Sequence, residues 1–418
     1  MKKIAIINQR YGKEVNGGSE YYTMQLAEHL CEQYEVEILT TQALSYTTWE
    51  NHYSAGTEEI NGITVRRFPV KHPRQKLMQK IIGKLITVFK MNYRLLNGLW
   101  IKAQGPYAPE LVRFIEEHET EYDVFVFVTY LYYPAVYGME KVKKKSVFVP
   151  TAHEEAYIHF RLMQDVFTSP SAYVFLTEEE KNLVHSLFPV DQIPYEVSAM
   201  GIEPRRQQTE SDFREKYEIH KPYLIYAGRI DVDKGCGQML EYFEKYCCED
   251  EGYMLVLIGK SEMEIPQSNH IRYLGFVSEE DKDAAIAGAK ALCLPSKHES
   301  LSIAALEAMY LGTPVIVNGY SDVLKGHCTR SGGGMSYTNY EEFRTALRTM
   351  GDAEKYAEMS DRAVRYVEEN YQWKHVLEAW GRIFDKVAAG SNKEEEQRLA
   401  ADLELRYPKR NVMKKDAK

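Results

Sequence analysis

Residues 291–307 of the chain read ALCLPSKHESLSIAALE. The first four residues are all apolar, as in a strand that is covered on both faces of a parallel sheet. A polar loop follows, and a helical pattern begins near Ser300 to Ser302. A buried strand, a short loop and a helix form the repeating unit of doubly wound α/β proteins. This stretch therefore predicts an α/β fold with a parallel sheet.

The same unit recurs along nearly the whole chain. Short apolar runs alternate with longer helical patterns, for example over residues 19–29, 178–187 and 279–287. The first apolar run is too short for a signal peptide, and we interpret it as a buried strand. The pattern predicts strands at residues 4–7, 36–39, 124–128, 147–149, 173–176, 224–226, 255–258, 291–294 and 315–317.

The strand–helix pattern restarts near residue 221, after a polar segment that contains Pro204. Two doubly wound domains of similar size would face each other, and ligands bind such sheets beyond the carboxyl ends of the strands. The sequence thus predicts one cleft shared by both domains. We expect an N-terminal domain at 1–200, a linker at 201–220, a C-terminal domain at 221–354, helices of open docking side at 355–388 and a charged tail at 389–418.

The composition excludes several classes of protein. The 418 residues include 52 Lys and Arg against 61 Asp and Glu, and the 44% hydrophobic fraction is typical of a globular chain. No apolar run approaches the roughly 18 residues of a membrane-spanning helix. The net charge of −9 argues against nucleic acid as a partner. The six cysteines lack the spacing of metal ligands, so we expect a reduced, cytoplasmic protein.

Two glutamates flank the helix start in the 291–307 stretch. Glu299 and Glu307 are separated by about 12 Å if the segment between them is helical, too far to share a proton. They could hold opposite ends of an elongated ligand, or they could be ordinary surface side chains. The helix N-terminus between them offers free N–H groups and a positive dipole end, which suit a diphosphate.

A second loop places cations after a predicted strand. Arg229 and Lys234 lie in the loop that follows residues 224–226, where they could neutralise a departing diphosphate or form surface ion pairs. Asp231 and Asp233 spell the D-x-D pattern that binds metal in some sugar transferases. Because the flanking cations compete with a metal, we expect no metal site.

A third loop, residues 16–20, follows the first predicted strand. Gly17 and Gly18 permit close approach of the backbone to a ligand, and Ser19 can cap the helix. The dinucleotide fingerprint G-x-G-x-x-G is absent from this loop, which argues against a nicotinamide enzyme.

In their order and spacing these motifs resemble the retaining glycosyltransferases of family 4, which have the GT-B fold of two facing Rossmann-like domains. The resemblance rests on residues 17–20, on the loop 227–235 and on the E-x7-E spacing of Glu299 and Glu307. Residues 307–315 and 371–373 fit the same family. Together these stretches cover the chain to about residue 388.

The resemblance implies a role for each motif: the cation pair stabilises the diphosphate, Glu299 contacts the donor sugar and Glu307 binds the ribose. His153 follows the predicted strand 147–149, where the family often has a histidine near the donor sugar. Gly259 lies in a segment that lines the nucleoside pocket in the family. The expected catalytic residues are His153, Arg229, Lys234 and Glu299, and the expected nucleotide-sugar-binding residues are Gly17, Gly18, Gly259, Ser300, Leu301, Ser302, Ile303 and Glu307.

The segment 60–109 contains ten Lys or Arg and no acidic residue. Within residues 71–104, apolar side chains recur at helical spacing. A basic amphipathic helix would suit an anionic membrane surface or a lipid-linked acceptor, through residues 66–102, or it would pack into the fold with solvated lysines. Downstream, the tyrosines at 130, 132, 133 and 137 could stack on an acceptor sugar or pack in the core.

These expectations combine into one functional prediction. The chain would be a hexosyltransferase that uses a nucleotide sugar, with UDP-sugar as the expected donor, and acts on a glycan or lipid-linked acceptor in cell-surface polysaccharide or glycolipid synthesis. It would need no cofactor, and it would lie in the cytoplasm, peripherally on the inner face of the plasma membrane. The alternatives are a sugar-nucleotide epimerase or hydrolase of the same fold, and a non-catalytic partner subunit of another transferase.

Overall fold

The computed structural model describes residues 1–203 and 210–406 of the chain. Part of the predicted linker, residues 204–209, and the predicted tail beyond residue 406 lie outside the described residues. Within the described ranges the strands form two sheets, one built from residues 3–197 and the other from residues 223–337.

The first sheet has eight strands in the described part of the chain, in the order β3-β4-β2-β1-β5-β6-β7-β8. All neighbouring pairs are parallel except β3 and β4, which form an antiparallel hairpin at one edge. The apolar runs form the central strands because both faces of the sheet are covered by helices. The strands are β1 (Lys3–Ile7), β2 (Glu35–Thr41), β3 (Gly56–Ile60), β4 (Ile63–Phe68), β5 (Val124–Val128), β6 (Ser146–Val149), β7 (Ala172–Phe175) and β8 (Tyr195–Val197).

The second sheet is wholly parallel over the described strands, in the order β11-β10-β9-β12-β13-β14. The strand order reverses between β9 and β12: β10 and β11 are added on one side of β9, and β12 and the strands after it on the other. Ligands bind doubly wound sheets beyond the carboxyl ends of the strands at such a point. The strands are β9 (Tyr223–Ala227), β10 (Met254–Ile258), β11 (Ile271–Gly275), β12 (Ala291–Leu294), β13 (Val315–Asn318) and β14 (Gly334–Tyr337).

Helices cover the faces of both sheets. Several start at a polar side chain that accepts a hydrogen bond from the first turn, among them Thr177, Ser278 and Asp352. The helices are α1 (Gly18–Leu30), α2 (Lys76–Thr87), α3 (Arg94–Gln104), α4 (Pro109–Glu117), α5 (Tyr133–Gly138), α6 (Arg161–Phe167), α7 (Glu178–Leu187), α8 (Glu210–Lys216), α9 (Cys236–Cys247), α10 (Glu279–Ala287), α11 (Ile303–Tyr310), α12 (Asp322–Ser331), α13 (Tyr340–Met350), α14 (Ala353–Asn370) and α15 (Trp373–Arg406).

The chain returns from the second sheet to the first between α14 and α15. Helix α14 packs on α11, α12 and α13, whereas α15 packs on β7 and β8 of the first sheet. At the crossing, the Ile202 N–H donates to the carbonyl of Tyr371 at 2.8 Å, so the outgoing and returning segments are bonded to each other. A Cβ at Gly201 would lie 2.4 Å from the ring of Trp373, which accounts for glycine there. In the described residues, the segment that leaves the first sheet and the segment that returns to it therefore pack against each other.

Each of the nine predicted strands overlaps an observed strand. The pattern did not predict β3, β4, β8, β11 and β14, and four of these are the outer strands of the two sheets. Outer strands are partly exposed, so they do not form the continuous apolar runs that mark a strand buried on both faces.

The basic segment forms two helices, α2 and α3, rather than the single amphipathic helix predicted from its spacing. The helices pack against each other. Between them lies Lys90, whose φ of 57° is incompatible with a continuous right-handed helix. None of the helices in residues 1–203 and 210–406 is long and apolar enough to cross a bilayer.

Candidate functional site

A cavity of about 580 Å³ lies between the carboxyl ends of the two sheets. The first sheet contributes the loops after β1, β5 and β6 together with the start of α1. The second sheet contributes the loops after β9 and β12 together with the start of α11. Among the predicted site residues, the cavity is lined by Gly17, Gly18, His153, Arg229, Lys234, Glu299, Ser300, Leu301, Ser302 and Ile303.

On the wall of the second sheet, Lys234 and Glu299 form an ion pair, with Lys234 Nζ 2.8 Å from Glu299 Oε1. The two side chains come from different loops, after β9 and after β12, and both are about two-thirds or more buried. Because partial burial reduces screening by water, this pair fixes the position of both charges at the cavity wall. The cavity wall therefore presents a cation and a carboxylate to a polar ligand.

Arg229 lies in the same wall and has two partners. Its guanidinium donates to the carboxylate of Asp231 and to the phenol oxygen of Tyr46, which belongs to the first domain. The other carboxylate oxygen of Asp231 accepts from the backbone N–H of Lys234 at 2.6 Å. The first aspartate of the D-x-D pattern is thus engaged in shaping the loop.

Helix α11 points its N-terminus into the cavity. Its first residues follow Ser302, whose φ of 62° lies in the left-handed region, and no side chain caps the helix within the described residues. The first N–H groups of a helix lack intrahelical acceptors and carry partial positive charge. Leu301, just before the helix, accepts a hydrogen bond from His327 Nε2 at 2.8 Å, which anchors the loop. The geometry suits an anionic group.

His153 enters the cavity from the loop after β6. Its Nε2 lies 3.7 Å from Glu155 Oε1, and its ring centroid lies 5.5 Å from that of His298. Burial lowers the pKa of His153, and the neighbouring His298 and Lys234 lower it further. The carboxylates of Glu155 and Glu299 raise the pKa, but the net shift is downward. The imidazole is therefore neutral at physiological pH and can both donate and accept a hydrogen bond.

The loop that carries His153 is fixed by a buried carboxylate on α7. The two oxygens of Glu180 accept from the backbone N–H groups of Ala152 and Leu176, each at 2.6 Å. Burial raises the pKa of Glu180 to about 8, although both hydrogen bonds favour the ionised form. This contact ties the ends of β6 and β7 together beside the cavity.

On the wall of the first sheet, a second ion pair lies beneath the glycine turn. Arg10 Nη2 lies 2.6 Å from Glu20 Oε1, and both residues are buried. A Cβ at Gly17 would lie 2.2 Å from Glu20 Oε2, so only glycine fits above this carboxylate. The glycine turn therefore follows from the close packing of the loop on Glu20, in addition to any approach to a ligand.

Glu307 lies apart from the main cavity. It lines a smaller cavity of about 90 Å³, together with Gly201 and Trp373 at the crossing between domains. Its Oε2 is 3.5 Å from Lys282 Nζ. Burial lowers the pKa of that amine, but the carboxylates of Glu307 and Glu279 outweigh this effect and raise it. Because the helix begins only at Ile303, the E-x7-E segment is part loop and part helix.

Gly259 lies behind the loop that carries Arg229. Its φ of 123° favours glycine, and a Cβ there would lie 2.0 Å from the carbonyl oxygen of Gly228. Gly259 thus supports the backbone of the Arg229 loop.

The cavity is also lined by residues that the sequence-based prediction of the site missed, among them Gln9, Arg10, Tyr46 and His298. Gln9 and Arg10 directly follow the first predicted strand, and the rule that ligands bind beyond strand ends could have identified them. His298 lies next to Glu299 in the quoted stretch. Tyr46 carries no local signal, because its contact with Arg229 joins residues 183 positions apart. Of the predicted tyrosine cluster, Tyr132 lines the cavity, whereas Tyr130 and Tyr133 are buried in the core.

Comparison with known proteins agrees with this arrangement. Residues 207–331 match the family model described as "Glycosyl transferases group 1". The chain is 22% identical over 351 residues to an uncharacterized glycosyltransferase of Methanocaldococcus jannaschii, covering 77% of this chain and 82% of that protein. It is 28% identical over 186 residues to a phosphatidyl-myo-inositol mannosyltransferase of Mycobacterium leprae, covering 41% of this chain and 48% of the relative.

Among solved structures, the chain resembles sucrose-phosphate synthase from Thermosynechococcus elongatus with a TM-score of 0.66. The identity is 15%, and the match covers 96% of this chain and 100% of the other. The prediction of a GT-B fold with two facing Rossmann-like domains is confirmed. The comparisons also support glycosyltransferase activity as the class of function.

Proposed function

We propose that the chain is a retaining hexosyltransferase that moves a sugar from a nucleotide diphosphate donor to a hydroxyl of a glycan or lipid-linked acceptor. One observation carries the proposal: Arg229, the Lys234–Glu299 pair and the N-terminus of α11 converge on one wall of the cavity between the domains. Two cations and a helix N-terminus form a site for a diphosphate. The opposite wall, at Gly17 and Gly18, belongs to the other domain.

The donor would lie along the wall of the second sheet. Its diphosphate would contact Arg229, Lys234 and the backbone N–H groups of Ser302 and Ile303, while Glu299 would accept hydrogen bonds from the sugar. Glu307, in the smaller cavity beyond α11, would bind the ribose, as the family resemblance implies. His153, held neutral by its burial, would donate a hydrogen bond to the sugar.

The reaction would be a front-face displacement. The oxygen of the acceptor hydroxyl forms a bond to the anomeric carbon on the side from which the diphosphate departs, the bond between that carbon and the diphosphate oxygen breaks, and the diphosphate takes the acceptor's proton. Arg229, Lys234 and the helix N-terminus stabilise the negative charge on the leaving group as it develops. Asp231 is engaged by Arg229 and by the Lys234 N–H, which supports transfer without a metal on this D-x-D pattern.

Helices α2 and α3 support a peripheral association with an anionic membrane. Nine large apolar side chains of this region are exposed, with Leu77 at 73% and Leu95 at 78%. We call this the apolar–basic surface; it consists of exposed Leu77, Met78, Ile81, Val88, Phe89, Met91, Tyr93, Leu95 and Leu99 with the adjacent Lys76, Lys80, Lys84, Lys90 and Arg94. Apolar side chains flanked by cations are typical of helices that lie in the interface of anionic bilayers.

This surface supports our proposal for the location and the pathway. A transferase docked on the cytoplasmic face of the plasma membrane would reach lipid-linked acceptors for cell-surface polysaccharide or glycolipid synthesis. The relative from Mycobacterium leprae is named a phosphatidyl-myo-inositol mannosyltransferase, after a lipid. This name supports the proposal of a lipid-linked acceptor for the present chain.

A donor panel tests the proposal. Purified protein is incubated in EDTA with UDP-, GDP- and ADP-hexoses, with and without methyl hexosides and lipid-linked sugars, and free nucleotide is measured. We expect nucleotide release from one donor, increased by an acceptor. Turnover that no acceptor increases would favour the epimerase or hydrolase. Absence of both turnover and nucleotide binding, also with manganese, would favour the partner subunit.

A further inference from the structure

A second cavity, of about 370 Å³, opens beside the main cavity and also lies between the two domains. The first domain contributes the loop after β6 and the start of α7, and the second domain contributes the loop after β13 and the start of α12. His153, His298 and Glu299 line both cavities. A ligand in this side cavity therefore reaches the residues that we assign to the donor sugar.

The lining of the side cavity suits a neutral ligand with many hydroxyl groups. It includes five carboxylates and one lysine, from Glu154, Glu179, Glu180, Glu299, Asp322 and Lys297. A carboxylate accepts hydrogen bonds from hydroxyl groups, whereas it repels a further anion. The ring of Tyr320, which is 64% exposed, adds an apolar face on which a sugar ring can pack. The side cavity therefore fits a glycan better than it fits a phosphate.

One face of α7 leads from the side cavity to an outer cavity of about 380 Å³. Leu183 lines the side cavity and Leu187 lines the outer cavity. Residues four apart lie on the same face of a helix, about 6 Å from each other along its axis. The loop after β6 borders both cavities as well, since Glu154 lines the first, His159 lines the second, and their side chains are 2.6 Å apart. The two cavities are therefore neighbours along one helix and one loop.

The outer cavity is cationic. Arg94 and Arg161 line it, and none of the described residues in its lining is acidic. Arg94 Nη2 lies 2.7 Å from Asp165 Oδ1, outside that lining. Arg161 donates a backbone hydrogen bond to Asn92, and within the described ranges its exposed guanidinium has no protein acceptor. A guanidinium in this state can bind a phosphate with two parallel hydrogen bonds.

The outer cavity borders the apolar–basic surface. Arg94, the first residue of α3, belongs to both. Asn92, in the turn between α2 and α3, donates to the carbonyl of His159 at 2.9 Å and accepts from the N–H of Arg161 at 3.0 Å. The loop that carries His153 into the main cavity is thus bonded, at its other end, to the surface that we assign to the membrane.

We infer that the side cavity and the outer cavity together bind the acceptor, and that the acceptor is a glycan joined to its lipid through a phosphate. The inference rests on the proposed function, which assigns the main cavity to the donor and a lipid-linked glycan to the acceptor. The phosphate contacts Arg94 and Arg161, the lipid lies on the apolar–basic surface, and the glycan occupies the side cavity. The phosphate ester stays intact during the transfer, because its contribution is to binding alone.

The length of α7 sets a lower limit on the glycan. Glu180 holds the backbone of Ala152 next to His153, and Leu187 lines the outer cavity seven residues further along the helix. Seven residues correspond to a rise of about 11 Å, which is longer than one hexose ring. The acceptor therefore has at least two sugars between its phosphate and the hydroxyl that attacks the donor.

The test measures the binding of decyl phosphate by calorimetry, with decyl maltoside as the probe that has the same alkyl chain and no phosphate. A nucleotide diphosphate is present throughout to occupy the donor site. The proteins are the wild type, Arg161→Gln, Arg161→Lys and the control Arg113→Gln. Arg113 is an exposed arginine of α4 in the same domain, and it lines none of the three cavities.

We expect Arg161→Gln to raise the Kd of decyl phosphate at least about tenfold, the scale of a lost hydrogen bond to a charged group. Arg161→Lys, which keeps the charge, should recover part of the affinity, and Arg113→Gln should behave as the wild type. The Kd of decyl maltoside should be the same in all four proteins. In the transfer assay, decyl phosphate should compete with the lipid-linked acceptor and leave the donor KM unchanged.

Several outcomes would overturn the inference: an unchanged Kd of decyl phosphate in Arg161→Gln, an equal rise in Arg113→Gln, or competition of decyl phosphate with the donor. If Arg161→Gln weakens flotation with phosphatidylglycerol vesicles but leaves the acceptor KM unchanged, the outer cavity binds a headgroup of the bilayer and its assignment to the acceptor is wrong. The proposed function fails separately, through absence of donor turnover in the wild type, whereas decyl phosphate binding is measured without turnover.

Discussion

The guanidinium of Arg229 donates a hydrogen bond to the phenol oxygen of Tyr46 across the cleft. Two cations lie near the Tyr46 ring, with the Cζ of Arg229 5.3 Å and the Cζ of Arg10 5.4 Å from its centroid. Arg229 belongs to the second domain, and Tyr46 and Arg10 belong to the first. The cation that we assign to the donor diphosphate therefore also joins the two walls of the cavity.

The contact predicts a selective effect of Tyr46→Phe. We expect kcat to fall about tenfold, since the variant loses a hydrogen bond to a charged group that holds the walls together, while the Kd for the nucleotide stays within about threefold. Steady-state kinetics and calorimetric nucleotide binding measure the two quantities. Tyr53→Phe is the control, because its buried hydroxyl has no partner among the described residues. A large loss of nucleotide affinity in Tyr46→Phe would instead make Tyr46 part of the donor site.

The apolar–basic surface predicts binding to anionic vesicles. In a flotation assay with phosphatidylcholine vesicles that contain phosphatidylglycerol, we expect the wild type to float at low salt and to dissociate as salt screens the lysines. The double variant Ile81→Gln, Leu95→Gln should lose binding because both side chains are exposed and apolar.

Charge reversal on this surface has a matched control. Lys80→Glu with Lys84→Glu should abolish flotation, whereas Lys141→Glu with Lys143→Glu, which changes the net charge equally on another exposed segment, should not. Failure of the wild type to float with anionic vesicles at low salt would contradict membrane association.

His327 predicts a loss of stability in acid. Burial lowers the pKa of His327 to about 4, and the neutral ring bonds the carbonyl of Leu301 and the hydroxyl of Tyr366. The unfolded chain takes up this proton near pH 6.5 and the folded protein does so only near pH 4. The contribution of His327 to the free energy of unfolding is therefore fully present above about pH 6.5 and is lost as the pH falls toward 4. This loss amounts to about 3 kcal/mol.

Thermal denaturation between pH 7 and pH 4 measures this effect. We expect Tm to fall less steeply in His327→Gln, whose amide can still donate to Leu301 and accept from Tyr366 without titrating. His159→Gln is the control, since that histidine is half-exposed. Parallel pH profiles for the wild type and His327→Gln would show that another group controls the acid transition.

The amino-acid sequence predicts the centre of the fold better than its margins. Strands such as β1 and β12 are buried on both faces, and their apolar runs are visible without any knowledge of their neighbours. The outer strands β3, β8, β11 and β14 acquire their structure from pairing with one neighbour, which a local pattern does not report.

The residues of the candidate site also differ in how well the sequence predicts them. Residues that immediately follow a strand or precede a helix, such as Arg229 and Ser302, could be predicted because strand ends and helix starts are local features. Contacts between distant loops could not be predicted, as for the contact of Tyr46 with Arg229. The separation of Glu307 from the main cavity likewise depends on how α11 packs at the crossing between domains.

The most direct test of the central claim is the turnover of the donor by Lys234→Met, Glu299→Gln and the double variant. We predict that each single variant lowers kcat at least about a hundredfold, the scale of one lost preorganised group, and that the double variant loses much less than the product of the two, because the side chains act as one pair. Lys260→Met, from an exposed ion pair on the same domain, should behave as the wild type. Near-wild-type turnover in Lys234→Met or Glu299→Gln would contradict the assignment of this cavity as the transfer site.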